Sequence, residues 1–204
     1  MMPLLPLVLS IGRNGCGERA RSETADTQTG LQCRYCGAPA GHVPNDFVEE
    51  AAPACVLCGL VLNLARPRIT DEARLIWLPE MSQAALSAVM RRLHTGLRRS
   101  GEPLRASARP SLAVGERPLL YHAQQGLLER SREAEVRFGS SDPRELADAL
   151  VRMSRAAYAR RGALLGGVRL LSLGRLFAGA EDIYPAVVDS WRKDGMPPQL
   201  GGTA

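Results

Sequence analysis

Cys33-Arg-Tyr-Cys36-Gly37 and, eighteen residues further on, Cys55-Val-Leu-Cys58-Gly59 are the stretches that decide how this chain is read. Two Cys-x-x-Cys pairs at this interval lie in the range of a four-thiolate zinc site. A Cys-x-x-Cys turn lets two sulfurs reach one ion while nearby amides donate to them, and a glycine after the second cysteine relieves a left-handed backbone. Both halves carry that glycine. Four thiolates fill a tetrahedral zinc shell and leave no position for a water, so the expected role of the metal is structural. Three other readings exist for the same residues. Cytosolic cysteines can simply sit in a core, and an iron–sulfur cluster also takes four of them. Redox dithiols generally use one Cys-x-x-Cys at a helix start beside a strand, so two copies at ribbon spacing fit a metal better. Cys16, the fifth cysteine, reads as a free thiol in a loop.

Working outward on the N-terminal side, residues 13–31 lack periodic apolar positions and are rich in Gly, Ser, Thr and charge, which predicts a flexible loop. Before it, residues 1–12 hold an apolar run read as a buried strand over residues 4–11. This start imitates a secretion signal, but it has no basic residue ahead of the run, two prolines within it and no small-x-small cleavage site. The expected location is therefore the cytoplasm. No stretch approaches the roughly 20 apolar residues a membrane span requires.

On the other side, Val61–Leu64 and Arg74–Leu78 read as short strands around a turn at Pro67, which closes a metal module over residues 32–80. Beyond Pro79 the apolar period changes from two to 3.6. Ser82 is a plausible N-cap for an amphipathic helix with Leu86, Val89, Met90, Leu93 and Leu97 on its apolar stripe. Its other face carries Arg91, Arg92, His94, Arg98 and Arg99. Residues 100–117 read as a Pro-, Gly- and Ser-rich connection, followed by a helix from Pro118 to Arg137. Asp142, Pro143 and Glu145 then supply an N-cap, a first-turn proline and a capping-box acid. The helix they start should bury Leu146, Ala149, Leu150, Met153 and Ala157. Gly162, Gly166 and Gly167 break the pattern before Val168–Leu171 and a last helix near Glu181–Lys193. The expected fold class is α+β: a two-knuckle zinc module (HNH-like treble clef or zinc ribbon), a mainly helical lobe over 81–194, and a frayed tail over 195–204.

The bulk composition fits a folded protein: 204 residues, 45% apolar, 23% charged, with 20 glycines and 14 prolines. A net charge of +5 invites a nucleic-acid reading. However, Lys193 is the only lysine among 26 basic residues, a usage typical of GC-rich coding rather than of a phosphate-binding surface. A zinc-ribbon nucleic-acid binder using the Arg91–Arg99 face stays open as an alternative.

Between the cysteine pairs, Gly41-His42-Val43-Pro44-Asn45-Asp46 suggests the His and Asn of HNH nucleases. Such an enzyme also needs a His just after the last knuckle, where this chain has Gly-Leu-Val. A metal-dependent nuclease therefore remains the main enzymatic alternative, with His42 as its test residue. His94 and His122 fall on helix patterns and carry no motif.

Taken in order, the two Cys-x-x-Cys pairs, Leu75-Ile-Trp-Leu-Pro-Glu-Met-Ser-Gln-Ala-Ala-Leu86, Arg137-Phe-Gly-Ser-Ser-Asp-Pro143 and Val168-Arg-Leu-Leu171 resemble the IcmJ (DotN) family. That family belongs to Dot/Icm type IVB secretion systems and related conjugation machines. The resemblance runs collinearly over roughly residues 33–192. It implies a non-enzymatic subunit with an HNH-like zinc-finger core, docked on the VirD4-type coupling ATPase at the cytoplasmic face as part of the coupling complex. It also implies Cys33, Cys36, Cys55 and Cys58 as ligands of one Zn2+, with no catalytic residues; from the composition and the run lengths, neither membrane insertion nor direct nucleic-acid binding is expected.

Overall fold

The computed structural model describes residues 3–12, 32–39, 53–106 and 117–194. The expected loop over 13–31, Cys16, the His42–Asp46 stretch and the tail over 195–204 lie outside these residues. What is described is a mixed α+β chain with two small antiparallel sheets.

Helix α1, Val56–Leu62, grows directly out of the second cysteine pair. This corrects the strand expected over Val61–Leu64. Residues Val56 to Val61 are all buried, so the run is apolar on every side, and periodicity alone cannot tell such a helix from a core strand. A one-turn helix α2, Ile69–Glu72, leads into strand β1, Ala73–Trp77, which matches the expected strand over Arg74–Leu78.

Helix α3, Gln83–Arg99, starts at the expected N-cap, with the Ser82 side chain accepting the Ala85 amide at 3.2 Å. Leu86, Met90, Leu93 and Leu97 form its buried stripe. Two assignments on it change. Val89 is exposed, at the edge of the stripe, and His94, expected on the polar face, is fully buried. Basic residues Arg98 and Arg99 occupy its last turn, where the helix dipole favours them.

The single helix expected from Pro118 to Arg137 is two: α4, Arg117–Glu129, and α5, Ser131–Phe138. The break is at Arg130, the N-cap of α5, whose carbonyl accepts the Ala134 amide at 3.3 Å within α5 and also the Trp77 amide at 3.2 Å from the open edge of β1. The next expected helix is also divided. Helix α6, Pro143–Val151, is capped by Asp142, whose carboxylate accepts the Arg144 amide at 2.8 Å. Ser154 then caps a new helix, α7, Arg155–Ala159, followed by the short α8, Arg161–Leu164.

Strand β2, Val168–Ser172, pairs antiparallel with β1, in register from Ala73 opposite Ser172 to Trp77 opposite Val168. A hairpin of β3, Phe177–Ala178, and β4, Glu181–Asp182, precedes α9, Tyr184–Asp194. The expected helix near Glu181 thus begins three residues later, and residues 81–194 hold three of the four strands. Because β1 and β2 come from opposite sides of residue 80, the cysteine-bearing segment and the helical segment share one hydrophobic core.

The sheet has only two strands, so its edges need other partners. Gln83 clamps β2: its amide nitrogen donates to the Leu170 carbonyl at 3.0 Å and its carbonyl accepts the Leu170 amide at 2.8 Å. The N-terminal segment is extended but not a strand. It has one bridge, Ile11 to Asn63, flanked by hydrogen bonds between Ser10 and the backbone of Val61 and Leu64. Leu9 is buried there, whereas Leu4 and Leu5 are exposed.

Candidate metal centre

The first cysteine pair is built on a turn. The Cys33 amide donates to the Ala38 carbonyl at 2.8 Å, the Gly37 amide donates back to the Cys33 carbonyl at 2.9 Å, and Gln32 bridges Pro39. Gly37 sits at φ +71, in the left-handed region expected for the residue after a knuckle. Two further bonds tie the turn to its surroundings: the Arg34 amide to the Pro53 carbonyl, and the Leu5 amide to the Arg34 carbonyl.

The second pair is built differently. Cys55 is the N-cap of α1 and Cys58 lies within its first turn. Gly59 donates to the Cys55 carbonyl at 2.8 Å as an ordinary helical residue, which corrects the expectation that it relieves a left-handed backbone. A helix start places residues i and i+3 on one side, so it brings two sulfurs together just as a turn does.

The four Sγ atoms meet. All lie within 4.8 Å of one another, and Cys36 and Cys55 approach to 3.6 Å. Zn–S bonds of about 2.3 Å in a tetrahedron give sulfur–sulfur edges of about 3.8 Å, so the cluster has the dimensions of a shell around one ion. It is too tight for a multi-iron cluster, in which different irons hold different thiolates. It is also too open for a disulfide, and all four cysteines are free. Cys33, Cys55 and Cys58 are buried and Cys36 is half-buried.

Packed this closely, the thiols pull one another's proton affinities apart. Hydrogen bonds from Cys36, then Cys55 and Cys58, hold Cys33 far below the usual thiol range. Cys36 is also lowered: Cys33 pushes it up, but Cys55 and Cys58 outweigh that. Cys55 and Cys58 are pushed up, in each case chiefly by hydrogen bonding with Cys33 and further by burial. Four thiolates packed this closely repel one another, and a divalent cation held among them would offset that repulsion. The cluster is compatible with binding one metal ion such as zinc.

Two buried polar networks left no local signal in the sequence. Arg66 and Glu72 form a buried two-point ion pair, with Nε to Oε2 at 2.9 Å and a second bond at 3.0 Å, and both also bond to the backbone of Phe177. Their partner lies more than a hundred residues away, so no spacing rule reveals it. His94 Nδ1 lies 2.6 Å from the Tyr184 hydroxyl, and Gln124 donates to His94 Nε2 at 3.2 Å. Burial pushes the His94 pKa down to about 3, so the ring is neutral. It also pushes the Tyr184 phenol up.

The basic face of α3 is partly consumed inside the protein. Arg91 donates to the Pro39 carbonyl and lies over the Trp191 ring, while Arg98 makes a two-point pair with Asp189. Arg92 and Arg99 remain exposed. Among the described residues no helix is long and apolar enough to cross a membrane. Comparison with known proteins adds no assignment: no family model matches the chain, and no curated protein does.

Proposed function

We propose that this protein is a non-enzymatic zinc-binding adaptor of a type IVB secretion or conjugation coupling complex, of the IcmJ (DotN) kind, docking in the cytoplasm on the VirD4-type coupling ATPase. The observation that carries the reading is the closed four-sulfur cluster sharing one core with the stretches that bear the family resemblance. In this reading Cys33, Cys36, Cys55 and Cys58 hold one Zn2+, and the start of α1 supplies the second half of an HNH-like treble clef. The ion supplies a rigid cross-link between the first-pair turn and α1, and with all four positions taken by sulfur it has no site for substrate or water.

The resembling stretches act as framework. Leu75–Leu86 holds the second half of β1, the Ser82 cap and the Gln83 clamp on β2. Arg137–Pro143 spans the end of α5 and the Asp142 cap of α6. Both sit where the cysteine-bearing segment meets the helices, which is what a subunit that presents a fixed surface to a partner needs.

The test is co-purification of the zinc-loaded chain with the cytoplasmic extension of the coupling ATPase encoded in the same genome. A stable complex on size-exclusion chromatography is expected, and recovery of both proteins as separate species contradicts the reading. DNA nicking with added magnesium or manganese, lost on His42→Ala, would replace the adaptor with a nuclease.

A further inference from the structure

Among the described residues, away from the cysteine cluster, lies a cleft with a marked chemical character. It has a volume of about 240 Å3 and is lined by polar Thr70, Asp71, Arg74, Arg105 and Arg175 together with apolar Ala106, Leu128 and Leu173. The three arginines come from three separate places: Arg74 from β1, Arg105 from the segment after α3, and Arg175 from the turn after β2.

The backbone around the cleft is fixed. Gly174 has φ +75, and a Cβ there would collide with the Leu104 carbonyl oxygen. Only glycine lets the 104–106 segment lie this close, and that approach brings Arg105 beside Arg175. The Ala106 amide bonds to the Leu173 carbonyl at 3.1 Å. From α4, Gln124 donates to the Leu104 carbonyl at 3.0 Å and Gln125 donates to that of Ala106. Arg105 therefore projects from a segment held on both sides, a preorganisation that lowers the cost of binding.

The charges do not balance within the cleft. Asp71 is committed to Arg68 at 2.7 Å, and Thr70 donates to Asp142. Arg175 is paired with Asp182 at 3.2 Å and lies over the Phe177 ring. The guanidinium groups of Arg74 and Arg105 have no hydrogen-bond or ion-pair partner among the described residues. Two guanidinium charges therefore remain, close to the charge of about −1.5 to −2 on a phosphate monoester. Forks arriving from several directions also suit a group with three terminal oxygens better than a single planar carboxylate. The volume is below the roughly 300–1,000 Å3 of drug-sized ligand sites, which fits a small molecule and not a docked helix.

We propose that this cleft binds the phosphate group of a small phosphorylated ligand, with Arg74 and Arg105 as its principal contacts. The site is independent of the adaptor reading and of the metal centre.

The test is calorimetric titration of the zinc-loaded full chain, at low ionic strength, with inorganic phosphate and pyrophosphate as probes and citrate as a carboxylate control. Saturable 1:1 phosphate binding is expected, weakened about tenfold or more by Arg74→Gln or Arg105→Gln and unchanged by Arg92→Gln on the exposed face of α3. Absence of saturable binding at millimolar phosphate overturns the proposal. So does an equal loss with Arg92→Gln, which would mean unspecific charge, or a preference for citrate over both phosphates.

Discussion

The two halves of the metal centre carry the same pattern, Cys-x-x-Cys-Gly, and fold differently. Around Cys33 and Cys36 the chain makes a tight turn with Gly37 in a left-handed conformation, tied down by a few backbone bonds. Around Cys55 and Cys58 it starts a helix whose residues from Val56 to Val61 are all buried. A short motif fixes where sulfurs can meet. The residues C-terminal to each motif decide the backbone that brings them there. Ala-Pro-Ala comes after Cys36-Gly37 and cannot easily continue a helix, whereas Leu-Val-Leu comes after Cys58-Gly59 and buries against α3 and β2.

Removing the metal should separate the halves most strongly. Chelation is expected to release the first turn, because a thiolate-bound ion supplies much of its cross-linking, while α1 keeps its packing. Hydrogen exchange should show protection lost at the Gly37 and Cys33 amides well before that of the Gly59 amide. Simultaneous loss at all three would mean that the halves stand or fall together.

Substitution of single ligands gives the next largest contrast. Cys36→Ser and Cys58→Ser should both abolish stoichiometric metal binding. Cys58→Ser should also destabilise the metal-free chain more, because Cys58 is fully buried in the main core whereas Cys36 is half-buried, and a buried hydroxyl without a compensating bond costs about 1–3 kcal/mol. Denaturant unfolding of both variants in chelator checks this.

Acid should act on the second half through α3. His94 has its pKa lowered to about 3 from an ordinary 6.5. Below pH 6.5 the unfolded chain takes up a proton that the folded chain refuses, so stability is intact above that pH and is lost as pH falls towards 3. The contribution to the slope approaches about 1.4 kcal/mol per pH unit. His94→Gln should flatten it in unfolding curves recorded just below pH 6.5, before acid strips thiolate ligands.

The smallest contrast is at the glycines. Gly37→Ala must hold a side chain at φ +71 and should cost about 1–2 kcal/mol. Gly59→Ala meets no such backbone penalty and should cost less, as read from paired thermal melts.

Much of the site is legible in the sequence because it depends on local spacing: the four cysteines, the Gly37 turn, the Ser82 and Asp142 caps and strand β1. The departures share a cause. Val61–Leu64 reads as a strand because an apolar run buried all round has no period to measure. His94 departs from the periodic assignment because α4 and α9 both pack against α3 and cover its side of the helix through Gln124 and Tyr184. The break between α4 and α5 lies where the Arg130 carbonyl meets the Trp77 amide, a contact between residues far apart in the chain. The arginine cleft and the bonds from the Arg66–Glu72 pair to Phe177 likewise join residues far apart in the chain.

Zinc-edge X-ray absorption on the chain purified without added metal, combined with metal content per chain, tests the central claim most directly. The account predicts one zinc per chain with four sulfurs at about 2.3 Å and no nitrogen or oxygen ligand. A shell containing nitrogen or oxygen, or a metal-free chain with Cys33, Cys36, Cys55 and Cys58 joined as disulfides, would contradict it.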